Sequence, residues 1–191
     1  MATNSSTLGY LASTGAASYG NDLDDIFQGA IVGITGVTGD LVRPRWQVEP
    51  PQQPDFTVNW VAFGVVRSEV DTFAHDRHDP TGDGTDKVER DEMLYVLHSF
   101  YGPDCHATCE RFRDGLELPQ NRDVLLANGV AVVEVQEAVH LPALLKEKWV
   151  KRIDATVIYR RRTSRTYAVL TITSSHVDLY NERYVTPINV P

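Results

Sequence analysis

A run of prolines set between two apolar segments restricts this chain more than any other feature. In GITGVTGDLVRPRWQVEPPQQPDFTVNWVAFG, residues 33–64, Pro44, Pro50, Pro51 and Pro54 punctuate an otherwise polar stretch. A proline ring fixes φ and removes a backbone donor. Such a stretch can neither continue a helix nor sit inside a sheet, and it favours an extended path with its backbone groups unpaired. An extended arm carrying Arg43, Arg45 and Trp46 suits contact with a neighbour better than self-burial. Ahead of the arm, Leu23, Ile26, Phe27, Ala30, Ile31 and Ile34 recur at three- and four-residue steps and predict a helix with one apolar face. Asn21 or Asp22 caps its start, and Gly36 and Gly39 end it. After the arm, Val58 to Val66 reads as a strand covered on both faces.

The rest of the chain reads as a sheet-and-helix body. Residues 67–92 are the most polar, and His75 to Asp86 reads as a long exposed loop inside an antiparallel strand pair that resumes at Met93. Cys105, Cys109, Phe112 and Leu116 give a second helix its inner face, with Pro103 in its first turn and Pro119 as its stop. A short third helix spans Asn121 to Asn128, capped by Asn121 and closed by Gly129, and Val130, Val132, Val133 and Val135 make a strand. Ile153, Ala155, Val157 and Tyr159 alternate with polar neighbours, and Arg162-Thr163-Ser164-Arg165 turns the chain into a returning strand from Tyr167 to Thr173. This order predicts an α+β fold: a mostly antiparallel sheet of about four to five strands, helices on one face, and extended N-terminal and C-terminal arms.

Composition narrows the class. At 191 residues and 42% hydrophobic content the chain fits one soluble domain. No apolar run approaches the roughly 18 residues a membrane span needs, so the cytosol is the default setting. Net charge is −8, yet residues 146–165 carry eight basic side chains against two acidic ones, leaving −14 for the remainder. Opposed charge of this kind suits head-to-tail contact between copies or stacked partners.

Candidate chemistry is thin. The glycines of GITGVTGD have a G-x-x-G-x-x-G spacing, close a helix instead of opening one, and place Asp40 where a phosphate loop wants Lys. His75, His78 and Asp79 are residue types that ligate metals, but a loop of alternating Asp and Gly does not present ligands rigidly. A calcium loop over Asp79 to Arg90 fails at its twelfth position, which is Arg90. Cys105 and Cys109 read as core residues, and no nucleophile signature exists, so neither catalysis nor a cofactor has support. Arg160, Arg161, Arg162 and Arg165 would form a basic hairpin tip, with Arg160 and Arg162 on one face and Arg161 on the other. In a strongly acidic chain such a tip fits an acidic protein surface better than DNA.

The segments ITGVTGDLVRPRWQ, PPQQPD, NWVAFG, SFYGP and RDGLELPQNR resemble the neck or tail terminator proteins of tailed bacteriophages, over about residues 20–175. With that resemblance the chain is expected to be one tail-terminator-like domain over residues 1–191, to which the composition adds a flexible arm at 1–20, an acidic insertion at 69–92 and an extension at 179–191. It implies a structural virion protein of the neck and tail, assembled in the host cytoplasm and without catalytic residues. Such a subunit forms a ring, most simply a hexamer, that caps the finished tail tube and joins the tail to the head connector. Its partners would be further copies of itself, the tail tube protein, a sheath protein if the tail contracts, and a head-completion or connector protein. Genomic DNA would pass through an acidic or neutral lumen without sequence-specific binding, and no membrane or cofactor is involved. Another head-tail connector or adaptor role is the alternative. Arg43, Arg45, Trp46, Arg160, Arg161, Arg162 and Arg165 are the expected subunit or partner contacts.

Overall fold

The computed structural model describes residues 4–15, 19–145, 147–172, 175–180 and 185–190. Its elements are α1 (Asn21–Thr35), β1 (Val42–Pro44), β2 (Trp60–Val70), β3 (His75–Asp79), β4 (Thr85–Tyr101), α2 (Cys105–Glu117), α3 (Pro119–Ala127), β5 (Val130–Val135), β6 (Val139–His140), β7 (Ala143–Leu145), β8 (Lys148–Val150), β9 (Arg152–Tyr167), β10 (Ser175–Tyr180) and β11 (Val185–Val190). The fold is α+β, and its main sheet has seven strands instead of four to five. The principal order is β1-β2-β4-β9-β5, with β3 on β4 and β6 on β9. All of the registered pairings are antiparallel except that of β1 with β2.

The chain divides into two compact units. The larger, Ala17–Phe73 with Arg90–Thr163, holds the three helices and the main core. Leu23, Phe27 and Ile31 from α1 and Cys109, Phe112 and Leu116 from α2 meet Val61, Phe63, Val96, Phe100, Ala155, Val157 and Tyr159 from the sheet. Side chains alternate across a strand, so these odd-numbered β2 and β9 residues and even-numbered β4 residues all face the helices. Their neighbours Trp60, Ala62, Ser99, Tyr101 and Asp154 occupy the other, helix-free face. The smaller unit is Met1–Ala16, Ala74–Glu89 and Ser164–Pro191. In it Thr14 bridges Thr166, the Ser5 amide donates to Ala168 O at 3.1 Å, and β10 pairs with β11.

Several expectations change. Residues 75–89 form a hairpin, not a loop, because His75–Asp79 pairs with Thr85–Glu89 around a turn in which Asp79 accepts from both the amide and hydroxyl of Thr81. Arg162 to Arg165 does not turn, since β9 runs unbroken to Tyr167. The arm is not wholly unpaired, because Val42–Pro44 forms a parallel edge strand on β2, where a proline's missing donor costs no ladder bond. Gly20, not Asn21 or Asp22, is the residue before α1, while Gly36 ends the helix in the left-handed conformation at φ 76°. Pro119 starts α3 instead of only stopping α2, as suits a residue without an N–H, and Asn121 lies inside α3 with its amide on Gly115 O at 2.8 Å. The tail holds the β10–β11 pair, while residues 181–184 and 191 of the expected extension lie outside the described residues.

Candidate functional site

The arm is held at both ends. Gln28 of α1 donates to Gly39 O at 3.0 Å and Val42 O at 2.7 Å, fixing the turn that leads out of the helix. Arg43 donates through Nε to Asp40 O at 2.8 Å and through Nη1 to Gln52 O at 2.7 Å, so its guanidinium staples the start of the proline segment to its far side. The Arg45 amide continues the edge pairing by donating to Phe63 O at 2.7 Å. Trp46 then takes φ 59°, a left-handed value that a bulky residue adopts only under constraint. The constraint is visible at Gly64, where an added Cβ would come 2.8 Å from Trp46 Cζ3 and 3.1 Å from Arg45 Cβ. The indole therefore lies against Gly64 on the helix-free face of the sheet, yet it stays 71% exposed.

Beneath the arm runs a polar network that sequence reasoning missed. Arg45 donates to Ser99 Oγ, and Ser99 donates to Asp154 Oδ1 at 2.5 Å. Arg152 grips the same carboxylate with Nε at 2.7 Å and Nη2 at 2.6 Å, a bidentate pair of the strong kind. Ser99 and Asp154 are buried, so the carboxylate survives there only because the Arg152 guanidinium and the Ser99 hydroxyl satisfy it, Arg45 in turn holding that hydroxyl. The signal available in sequence was one Ser and one Asp, each set among apolar residues of its own strand. Next to the network, Trp60 stacks on Tyr101 with ring centroids 4.1 Å apart, and Arg152 lies 5.5 Å from the Tyr101 ring centre. Gln52, Pro54, Phe56, Trp60, Lys148 and Val150 line a cleft of about 390 Å³ there, and the Lys148 ammonium sits 4.2 Å over the Phe56 ring.

The arginines of β9 keep the predicted alternation but have partners in their own chain. Arg160 and Arg162 both bind Asp91 of β4, the latter at 2.9 and 3.2 Å. The hydrogen bonds from Arg162 and Arg160 push the Asp91 carboxyl down to about 2. Arg161 points the other way, is 6% exposed, binds Glu92 at 2.8 Å and lies over the Tyr19 ring. Much of the basic charge of residues 146–165 is thus neutralised across the sheet, and Lys146 lies outside the described residues.

The other candidates do not assemble. His75 and His78 are three apart on β3 and so face opposite ways. His78 instead contacts Asp86 at 2.5 Å and Thr171 Oγ1 at 3.0 Å. Cys105 and Cys109 are free and buried, and burial pushes the Cys109 thiol up to about 12. Among the described residues no cluster of three His, Cys, Asp or Glu side chains could hold a metal ion, and no helix is long and apolar enough to cross a membrane.

What this surface offers is exposed aromatic area over preorganised ion pairs, the equipment of a protein that docks onto other proteins. The chain matches the family described as phage neck terminator protein over residues 21–183, and it belongs to that family. It is therefore a structural protein of the phage neck and tail. No curated protein matches it.

Proposed function

We propose that this chain is a subunit of a ring, a hexamer in its simplest form, that caps the finished tail tube and joins it to the head connector. Genomic DNA passes through the lumen without being read. Membership of the neck terminator family is the observation that carries this reading. The chain acts as one tail-terminator-like domain, and its partners are further copies of itself, the tube protein, a sheath protein in a contractile tail, and a head-completion or connector protein.

Within the ring we assign the contact to Trp46, with Arg43 and Arg45 holding the arm in the presenting conformation. Arg160, Arg162 and Arg165 contribute at a subunit or partner boundary, whereas Arg161 acts there only through Glu92, because it is buried in the monomer. An acidic or neutral lumen follows from the overall charge of −8, which lets a polyanion slide instead of sticking. The test is the mass of the purified full chain in solution and bound to isolated tail tubes, with electron microscopy of the tube ends. A sixfold ring at one tube end is expected, and a monomer in both settings refutes the reading.

A further inference from the structure

None of the three tryptophans of this protein is in its core. Trp46 lies over Gly64 and Trp60 stacks on Tyr101, both on the helix-free face. Trp149 belongs to the β7–β8 hairpin, whose Val150 packs with Trp60, Ala62 and Tyr101. In that hairpin Trp149 stands directly opposite Leu144, so both side chains share one face, and they are 71% and 58% exposed. A two-stranded hairpin is marginal in water by itself, and an exposed Leu-Trp pair on it calls for cover. Exposed Lys151 follows two residues after Trp149, while Lys148 lies over the Phe56 ring, Arg152 pairs with Asp154, and Glu147 is the acidic neighbour.

A different patch of the same compact unit has the complementary character. Helix α1 carries Asp22, Asp24 and Asp25 and no basic residue. Partial burial, with Asp25 beside it, raises the Asp24 carboxyl above its ordinary value, which marks a surface short of positive charge. Between α1 and α3 runs a groove of about 450 Å³, with Ile26, Ala30, Ile34 and Val124 as apolar walls and Asp25 at its rim. Val124 is 61% exposed beside it. Knob and groove are different patches of one unit, so a contact between them is heterologous and closes into a ring when the rotation per subunit permits.

We infer that neighbouring copies of this chain join front to back, with the Trp149–Leu144 knob of one seated in the α1–α3 groove of the next and Lys151 against the α1 aspartates. The inference rests on the ring reading above and names the surfaces that make the ring. The groove can be filled without harm to the fold, because a Cβ added at Gly33 meets nothing within 4 Å and glycine is a poor helix former. Gly33→Leu is therefore expected to melt no lower than wild type, yet to associate about thirtyfold or more weakly, as loss of a central anchor does. Trp149→Ala should weaken association to the same extent from the other side.

The decisive measurement is the mass of both full-length variants by light scattering, separately and mixed, at concentrations where wild type forms its ring. Each alone should be monomeric. A mixture has one intact knob on Gly33→Leu and one intact groove on Trp149→Ala, so it should yield a heterodimer and grow no further. If either variant keeps the wild-type mass, or the mixture gives no dimer, the contact is elsewhere even though the ring stands. If wild type itself stays monomeric, in solution and on tubes, both the contact and the ring reading fail.

Discussion

Gly115 sets two known effects against each other. It lies in α2, where glycine costs about 1 kcal/mol relative to alanine, so Gly115→Ala should stabilise the helix on propensity alone. Packing opposes this, because the new Cβ would stand 2.2 Å from Ile34 Cγ2 of α1. Ordinary carbon contacts lie at about 3.5–4.0 Å, so α1 and α2 would have to part by more than about 1 Å or Ile34 leave its rotamer. A β-branched residue within a helix has essentially one χ1 rotamer to use, and Ile34 is in the last turns of α1. Overpacking of this kind costs about 1–3 kcal/mol and exceeds the propensity gain in most of that range. The net expectation is destabilisation by about 0–2 kcal/mol, centred near 1, or about 2–4 °C in Tm for each kcal/mol in a chain of this size. Urea unfolding of Gly115→Ala, Ile34→Ala and the double variant forms a cycle, in which removing Cγ2 should turn the Gly115→Ala change favourable. A Gly115→Ala protein more stable than wild type, or equal losses with and without Ile34, would refute the steric argument.

Two further outcomes are expected. Burial pushes His98 down to about 4 from an ordinary value near 6.5, so the unfolded chain takes up a proton before the folded one does. The stability owed to a neutral His98 is complete above pH 6.5 and falls by roughly 1.4 kcal/mol per pH unit toward pH 4; urea midpoints across that range should show the slope, and His98→Phe should flatten it. Asp154→Ala leaves Arg152 and Ser99 without their acceptor, and since the Arg152 side chain is 25% exposed the loss should fall below the 3–5 kcal/mol of a fully buried pair, at about 2 kcal/mol. A midpoint within experimental error of wild type would show that solvent replaces the carboxylate.

The core was legible because its spacing is regular. Leu23, Phe27 and Ile31 in α1, the Cys105 to Leu116 face of α2, and alternation from Ile153 to Tyr159 all reappear as buried positions. The errors lie where a partner far along the chain decided the outcome. Arg162-Thr163-Ser164-Arg165 reads locally as a turn, but Arg160 and Arg162 meet Asp91, some seventy residues upstream, and the strand continues. Arg45 reads as a surface charge, yet the Ser99 hydroxyl, itself bound to Asp154, draws its guanidinium onto the sheet. The hairpin at residues 75–89 shows no hydrophobic period because every side chain of β3 is exposed, so backbone pairing alone defines it. Family membership was legible from whole segments, since the residues concerned carry shape and no reaction.

The borders of the main sheet bear on how such a protein can multiply. β1 is three residues long and ends in Pro44, β5 carries an irregularity between Val132 and Glu134, and β3 has a charged or ionisable side chain at every position. Short length, kinks and charge each discourage a stranger's strand from adding on. On the role proposed above, at the point where a polymer stops growing, the protein must not itself be a template for growth. Blunt margins fit the proposed closed ring, since they offer no edge on which a further strand could be seeded.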